Sequence, residues 1–211
     1  MLNIAVLVSG GGTNLQALID AQNRSEILGG RIAVVISSKA EAYALERAKK
    51  AGIPTETLIR KEYSTQEDYD AALLRILGRY QIGLIVLAGF MTIISDNVIR
   101  HYENKIINVH PSLIPSFCGA GFYGLRVHRA VLERGVKLTG ATVHFVNEVC
   151  DGGPIILQKA VKVLEGDTPE ILQRRVMEQA EWILLPKAVA LFCEGKITVH
   201  NGKTKIREDS I

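Results

Sequence analysis

Ile4-Ala5-Val6-Leu7-Val8-Ser9-Gly10-Gly11-Gly12-Thr13-Asn14-Leu15 joins a short apolar run to an amphipathic stretch through three consecutive glycines. Ile4 to Val8 offers no polar alternation and reads as a buried strand. Asn14 to Leu28 reads as a helix. Glycines at such a junction let the backbone approach a ligand closely, and the helix N-terminus presents free N–H groups at the positive end of its dipole. One glycine would serve a plain turn. Three in a row favour a phosphate site made by Gly11, Gly12, Thr13 and Asn14, the last two adding side-chain donors.

The same stretch excludes two common ligands. A dinucleotide fingerprint needs a further glycine where Leu15 stands, and an acidic residue where the chain reads Ser37-Ser38-Lys39. No Gly-Lys-Ser/Thr follows, so an ATP or GTP loop is excluded as well. A small phosphorylated ligand, such as a sugar phosphate or mononucleotide, remains.

Outward from this junction the alternation continues. Ile32 to Ile36 is a second predicted strand. Glu41 to Ala51 is a helix stopped by Gly52, with Pro54 beyond, and Thr55 to Ile59 is a third strand. Glu67 to Arg79 repeats apolar positions at Tyr69, Leu73, Ile76 and Leu77 and is a helix; Leu84 to Ala88 and Lys105 to Val109 are two more strands. The order predicts an α/β domain with a mostly parallel sheet flanked by helices, Rossmann-like in its first half. Leu138 to Val146 and Ile155 to Val163, separated by a Gly-Gly-Pro turn, predict an antiparallel addition. Pro169 to Phe192 predicts a long helix interrupted at Pro186. The tail after Val199 is expected to cover an edge or to be loosely ordered.

The 211 residues fit one domain, with 1–100 as the phosphate-binding half and 101–211 as the catalytic half. With 25 basic and 22 acidic side chains, no charge footprint for nucleic acid is expected. Cys118, Cys150 and Cys193 lack CxxC spacing, which argues against a zinc knuckle or disulfide framework and for a reducing cytoplasm. The N-terminus lacks a basic region and a long apolar core, so no signal peptide or membrane association is expected. Neither HExxH nor a carboxylate cluster is present, so no metal is expected.

Asn108-Val109-His110-Pro111-Ser112 lies at the C-terminal end of a predicted strand, at the sheet edge where ligands of open α/β sheets bind. Asn108 and His110 share one face by alternation. Thr142 and His144 project together from another strand, and Asp151 occupies a Cys-Asp-Gly-Gly turn. An amide, an imidazole and a carboxylate within reach of one another can stabilise an oxyanion, move a proton and orient the ring. An Asp-Gly-Gly turn is also ordinary turn chemistry. For His110 the site reading prevails, because Asn108 shares its face and Pro111 ends the strand. Thr142 and His144 read as supporting residues behind the trio. His101, His128 and His200 read as surface or helix residues. Neither Ser9 nor Ser112 sits in a G-x-S-x-G elbow, so a serine nucleophile is not expected.

Taken together, Leu7 to Leu15, Leu87-Ala88-Gly89-Phe90-Met91, Ile107 to Pro115 and Gly140 to Gln158 resemble the phosphoribosylglycinamide formyltransferase family in order along nearly the whole chain. The resemblance implies formyl transfer from the co-substrate 10-formyltetrahydrofolate to the amine of glycinamide ribonucleotide in purine biosynthesis. It implies small-molecule partners only, and a monomer or homodimer. It makes Asn108, His110 and Asp151 the catalytic trio, with Asp151 raising the His110 pKa so that an imidazolium donates to the oxyanion. It makes Glu181 the ribose ligand, although one residue more than the family's spacing separates Val176 from Pro186. The folate pocket it implies is walled by Met91, Thr92, Ile93, Ile94, Asn108, Asn147, Glu148, Val149, Cys150 and Asp151, with Gln66 on the helix facing the folate tail. Gln66 and Thr92 stand where the family commonly has basic residues. Ser116 to Gly124 is longer than the family's usual loop, and its glycines suggest a mobile flap.

Four readings compete. Methionyl-tRNA formyltransferase would need a basic domain after Gly195, and formyltetrahydrofolate hydrolase a regulatory domain before the first strand. A non-catalytic phosphosugar-binding protein would not need an oxyanion donor. A nicotinamide oxidoreductase is disfavoured by Leu15 and by the missing ribose acid.

Overall fold

The computed structural model describes residues 1–207. Seven strands form one sheet in the order β3-β2-β1-β4-β5-β6-β7: β1 (Leu2–Val8), β2 (Gly30–Ser37), β3 (Thr55–Thr57), β4 (Ile82–Leu87), β5 (Ile106–His110), β6 (Leu138–Phe145) and β7 (Ile155–Lys162). The first five run parallel, and β6 and β7 are added antiparallel, as the sequence pattern predicts. Ile4 to Val8 is wholly buried because the sheet has a core on both sides. Ile4, Val6 and Val8 face one core, while Ala5 and Leu7 face the other.

The helices are α1 (Thr13–Asn23), α2 (Tyr43–Lys50), α3 (Gln66–Arg79), α4 (Asp96–His101), α5 (Leu125–Arg134), α6 (Pro169–Val176) and α7 (Trp182–Cys193). Helix α1 ends at Asn23, five residues before the predicted Leu28. Ser25 turns back with φ 59°, and Leu28 is left exposed. Helices α4 and α5 are not predicted from the sequence: α4 has only six residues, capped by the Ser95 hydroxyl, and α5 starts behind Gly124 and buries Val127, His128 and Val131 on one face.

The long C-terminal helix is irregular, but before Pro186 rather than at it. A five-residue π turn, Met177–Glu181, joins α6 to α7, and Pro186 lies inside α7. A π turn takes up one extra residue without breaking the helix, which accounts for the added spacing between Val176 and Pro186. Beyond it, β8 (Ile197–His200) and β9 (Lys203–Ile206) form a separate hairpin beside β7, where the Thr204 hydroxyl donates to the Ile155 carbonyl. The predicted edge cover is therefore an ordered hairpin as far as Ile206.

The strand order reverses between β1 and β4, leaving a crevice beyond their C-terminal ends. The Ser9 hydroxyl bridges it, accepting the Met91 N–H at 2.8 Å and lying 2.6 Å from the Ser38 hydroxyl. One buried side chain thus ties the ends of three segments to the start of the glycine loop. Among the described residues, no helix is long and apolar enough to cross a membrane.

Candidate active site

Gly12 begins α1 in the left-handed region, φ 71°, and a Cβ there would lie 2.6 Å from the Ala44 side chain. The fold itself therefore requires this glycine. Gly10 and Gly11 have open space around them, so packing gives no reason for a missing side chain at either. An approaching ligand does give one. Helix α1 has no side-chain cap, which leaves its first N–H groups available for an anion.

Asn14 Nδ2 donates to Glu181 Oε2 at 2.7 Å. The π turn delivers Glu181 to this contact, and the carboxyl is buried at 7 % exposure. Burial pushes its pKa up to about 7, against the opposing pull of Asn14. Two open cavities of about 310 and 390 Å³ lie along α1 and α7. They reach the glycine loop only at Thr13, and the Asn108–His110–Asp151 cluster does not line them.

That cluster is assembled by cross-strand register. In the antiparallel β5–β6 pair, Asn108 stands opposite His144 and His110 opposite Thr142, so all four side chains share one face. Asn108 Nδ2 lies 3.2 Å from His144 Nε2. Asp151, with φ 54°, reaches in from the loop after β6. Its Oδ2 is 3.5 Å from His110 Nδ1, and its Oδ1 is 3.6 Å from His144 Nε2. His144 is therefore in direct reach of both Asn108 and Asp151 rather than behind them. Thr142 is the supporting residue: its hydroxyl donates to the Ser112 carbonyl at 2.7 Å and accepts from Ile114 N and Gln158 Nε2. It thereby holds the chain that leaves β5.

The long glycine-rich segment closes over these groups. The Phe117 carbonyl lies 2.9 Å from His110 Nε2, so that nitrogen carries the proton. The Gly119 N–H donates to Asp151 Oδ2 at 2.8 Å. Phe117 and Phe122 pack edge to face, with ring centroids 6.4 Å apart. No feature of the sequence announces this double latch, because both contacts are made by backbone atoms.

The electrostatics correct one expectation. Burial lowers the His110 pKa, and this outweighs the Phe117 carbonyl and the Asp151 charge, both of which favour imidazolium. The ring is thus neutral near pH 7. Burial would raise Asp151, but the His144 hydrogen bond, the Gly119 N–H and the charges of His110 and His144 together hold it below the usual carboxylate range. His128, read as a surface or helix residue, is a fully buried helix residue.

The residues expected to wall a folate pocket divide. Met91 and Ile93 are exposed at 53 % and 86 %, and Val149 at 64 %, as open apolar walls would be. Ile94 instead packs into the core under α3 and α4. Asn147 shapes its own loop: its Oδ1 accepts from Val149 N at 3.1 Å and its Nδ2 donates to the Gly152 carbonyl. Glu148 and Cys150 stay on the exposed side of the loop. Gln66 is engaged at the start of α3, donating to Asp70 Oδ1 and accepting from Arg60 Nε. Asp70 also accepts the Ser95 hydroxyl, so α3 and α4 start from one network. Burial pushes the Tyr69 hydroxyl up to about 12, with Thr92 as the opposing hydroxyl beside it. Among the described residues, no group of three His, Cys, Asp or Glu side chains is placed to hold a metal ion.

A half-buried amide and two buried imidazoles on one face, with a carboxylate reaching them at the sheet edge that carries the glycine loop, make up the equipment of an acyl-transfer enzyme. The formyl transferase family's sequence model matches residues 2–189, and the chain belongs to that family. It is 42% identical over 199 residues to the phosphoribosylglycinamide formyltransferase of Escherichia coli (strain K12), covering 94% of this chain and 91% of that protein. It is 45% identical over 198 residues to the trifunctional purine biosynthetic protein adenosine-3 of Gallus gallus, of which it spans only 19%. Among solved structures, glycinamide ribonucleotide transformylase 1 from Symbiobacterium toebii superposes with a TM-score of 0.92 at 44% identity, covering 99% of this chain and 95% of that one.

Proposed function

We propose that this chain transfers the formyl group of 10-formyltetrahydrofolate to the amine of glycinamide ribonucleotide. One observation carries the reading: Asp151 stands within 3.6 Å of both His110 and His144, on the face that holds Asn108 and beyond the same sheet edge as the Asn14–Glu181 contact. The ribonucleotide phosphate sits on the N–H groups of Gly11, Gly12, Thr13 and Asn14, and Glu181 takes a ribose hydroxyl. The folate lies between the 91–93 and 147–151 loops. Neither Gln66 nor Thr92 offers charge to its carboxylate tail, but Arg60, bonded to Gln66, stands beside that position.

The amine attacks the formyl carbon, and the carbonyl oxygen becomes an oxyanion. Asn108 Nδ2 donates to it, a contribution of roughly 3 kcal/mol in comparable sites. When the flap withdraws, His110 Nε2–H is released from Phe117 and supplies a second donor as a neutral ring. Asp151, kept ionised, accepts the proton of the attacking nitrogen through water, and that proton is delivered to the departing folate nitrogen. Residues 1–100 bind the phosphate and 101–211 carry the chemistry. We place the protein in the cytoplasm, as a monomer or homodimer.

The test mixes purified protein with both substrates and follows tetrahydrofolate absorbance. Release that depends on the ribonucleotide is expected. Release without it would assign a hydrolase, and no release would assign a phosphosugar-binding protein.

A further inference from the structure

The backbone that follows Cys118 and the thiol of Cys150 meet at one oxygen atom. Asp151 Oδ2 accepts the N–H of Gly119, the residue after Cys118, at 2.8 Å, and the Cys150 thiol lies 3.9 Å from the same oxygen. Cys118 is half-buried at the base of the flap, with its thiol 3.3 Å from the Pro115 carbonyl, and Cys150 is exposed on the facing loop. Cys193 lies elsewhere, on α7 against Gly30 at the start of β2.

We propose that Cys118 and Cys150 are an oxidisable thiol pair that closes into a disulfide and pins the flap to the loop carrying Asp151. The oxidant required is a peroxide. Hydrogen peroxide oxidises the exposed Cys150 thiolate to a sulfenic acid, and the hydroxide released takes up the proton that the thiol had lost, as the first water. The Cys118 thiolate then attacks that sulfur, the S–S bond forms, and the hydroxide that leaves takes up a proton as the second water. Two thiols give up two protons and two electrons, and one peroxide becomes two waters. Burial first, and then the Asp151 charge, push both thiols up. Both side chains are therefore protonated thiols at neutral pH, and closure accelerates as pH rises and thiolate forms.

A closed disulfide holds Phe117 on His110 and Gly119 on Asp151. Its effect on turnover rests on the formyl-transfer reading; its formation does not. The experiment treats the full chain with hydrogen peroxide, digests it without reductant and maps the peptides by mass spectrometry, with turnover measured in parallel. A Cys118–Cys150 disulfide is expected to accumulate while turnover is lost in proportion, because the flap cannot withdraw from His110, with dithiothreitol reversing both. Cys118→Ser and Cys118→Ala should each keep their own starting turnover through the same treatment. A map in which Cys150 is over-oxidised or joined to Cys193, with no Cys118–Cys150 pair, overturns the proposal. So does a Cys118–Cys150 disulfide that leaves turnover unchanged. If untreated protein transfers no formyl group, the functional reading fails, and the map alone decides whether the thiols pair.

Discussion

Asp151 holds together a site whose other members come from two strands, and its substitution separates chemistry from binding. Asp151→Asn should fold normally, keep substrate binding and lose on the order of 10²- to 10⁴-fold in turnover; turnover near that of the parent protein would remove Asp151 from the mechanism. The same change removes a charge that favours imidazolium, so the His110 pKa should fall further, which NMR titration of the ring nitrogens would follow. Glu181 gives a second test. Its folded pKa of about 7 lies above its unfolded value, so folding favours its protonated form, and its stabilising share fades as pH rises from about 4.5 to about 7. Glu181→Gln should therefore gain stability relative to the parent between pH 5 and pH 8, by up to about 3 kcal/mol. Equal melting temperatures for the two proteins at both pH values would contradict this. Asn108 and His110 were legible in the sequence because strand alternation is local. The direct place of His144 was not, since it depends on which residue of β6 faces Asn108.

At the scale of elements, the turn after β6 is fixed by close packing. A Cβ on Gly153 would lie 1.8 Å from the Phe145 carbonyl oxygen, so the turn cannot carry Asp151 to the imidazoles with any other residue there. Gly153→Ala should cost on the order of 2–4 kcal/mol, measured by urea denaturation, and should lower turnover in the folded fraction as well. A neutral result would mean that the turn relaxes freely. The central strands were readable as short apolar runs bounded by turn residues, buried almost throughout, and the helices α2 and α3 because their burial repeats with period 3.6. Helix α1 was read five residues too long because apolar residues continue past Asn23 into a turn set by Ser25. The π turn left only a trace in the sequence, one residue too many before Pro186, and where that residue is absorbed depends on Glu181 meeting Asn14 across the molecule.

For the molecule as a whole, the seven-stranded sheet places the glycine loop, the 91–93 loop and the Asn108–His110–Asp151 cluster at one edge. Chain order alone predicts that edge, because β1 to β5 are parallel. The glycines of Ser116 to Gly124 suggest a flap, but its latching onto His110 and Asp151 is a tertiary fact that neither composition nor periodicity encodes. The Ser9 hydroxyl, which accepts the Met91 N–H and touches Ser38, has a thermodynamic consequence at this scale. On the proposed function a single atom joins the loops of the two substrate sites, so filling one is expected to alter the free energy of filling the other. By linkage, the factor by which the ribonucleotide tightens the folate equals the factor by which the folate tightens the ribonucleotide. In Ser9→Ala that shared factor, measured calorimetrically in both orders of addition, should collapse from roughly 5-fold or more toward unity. A factor unchanged by the substitution would show that the two sites communicate by another route.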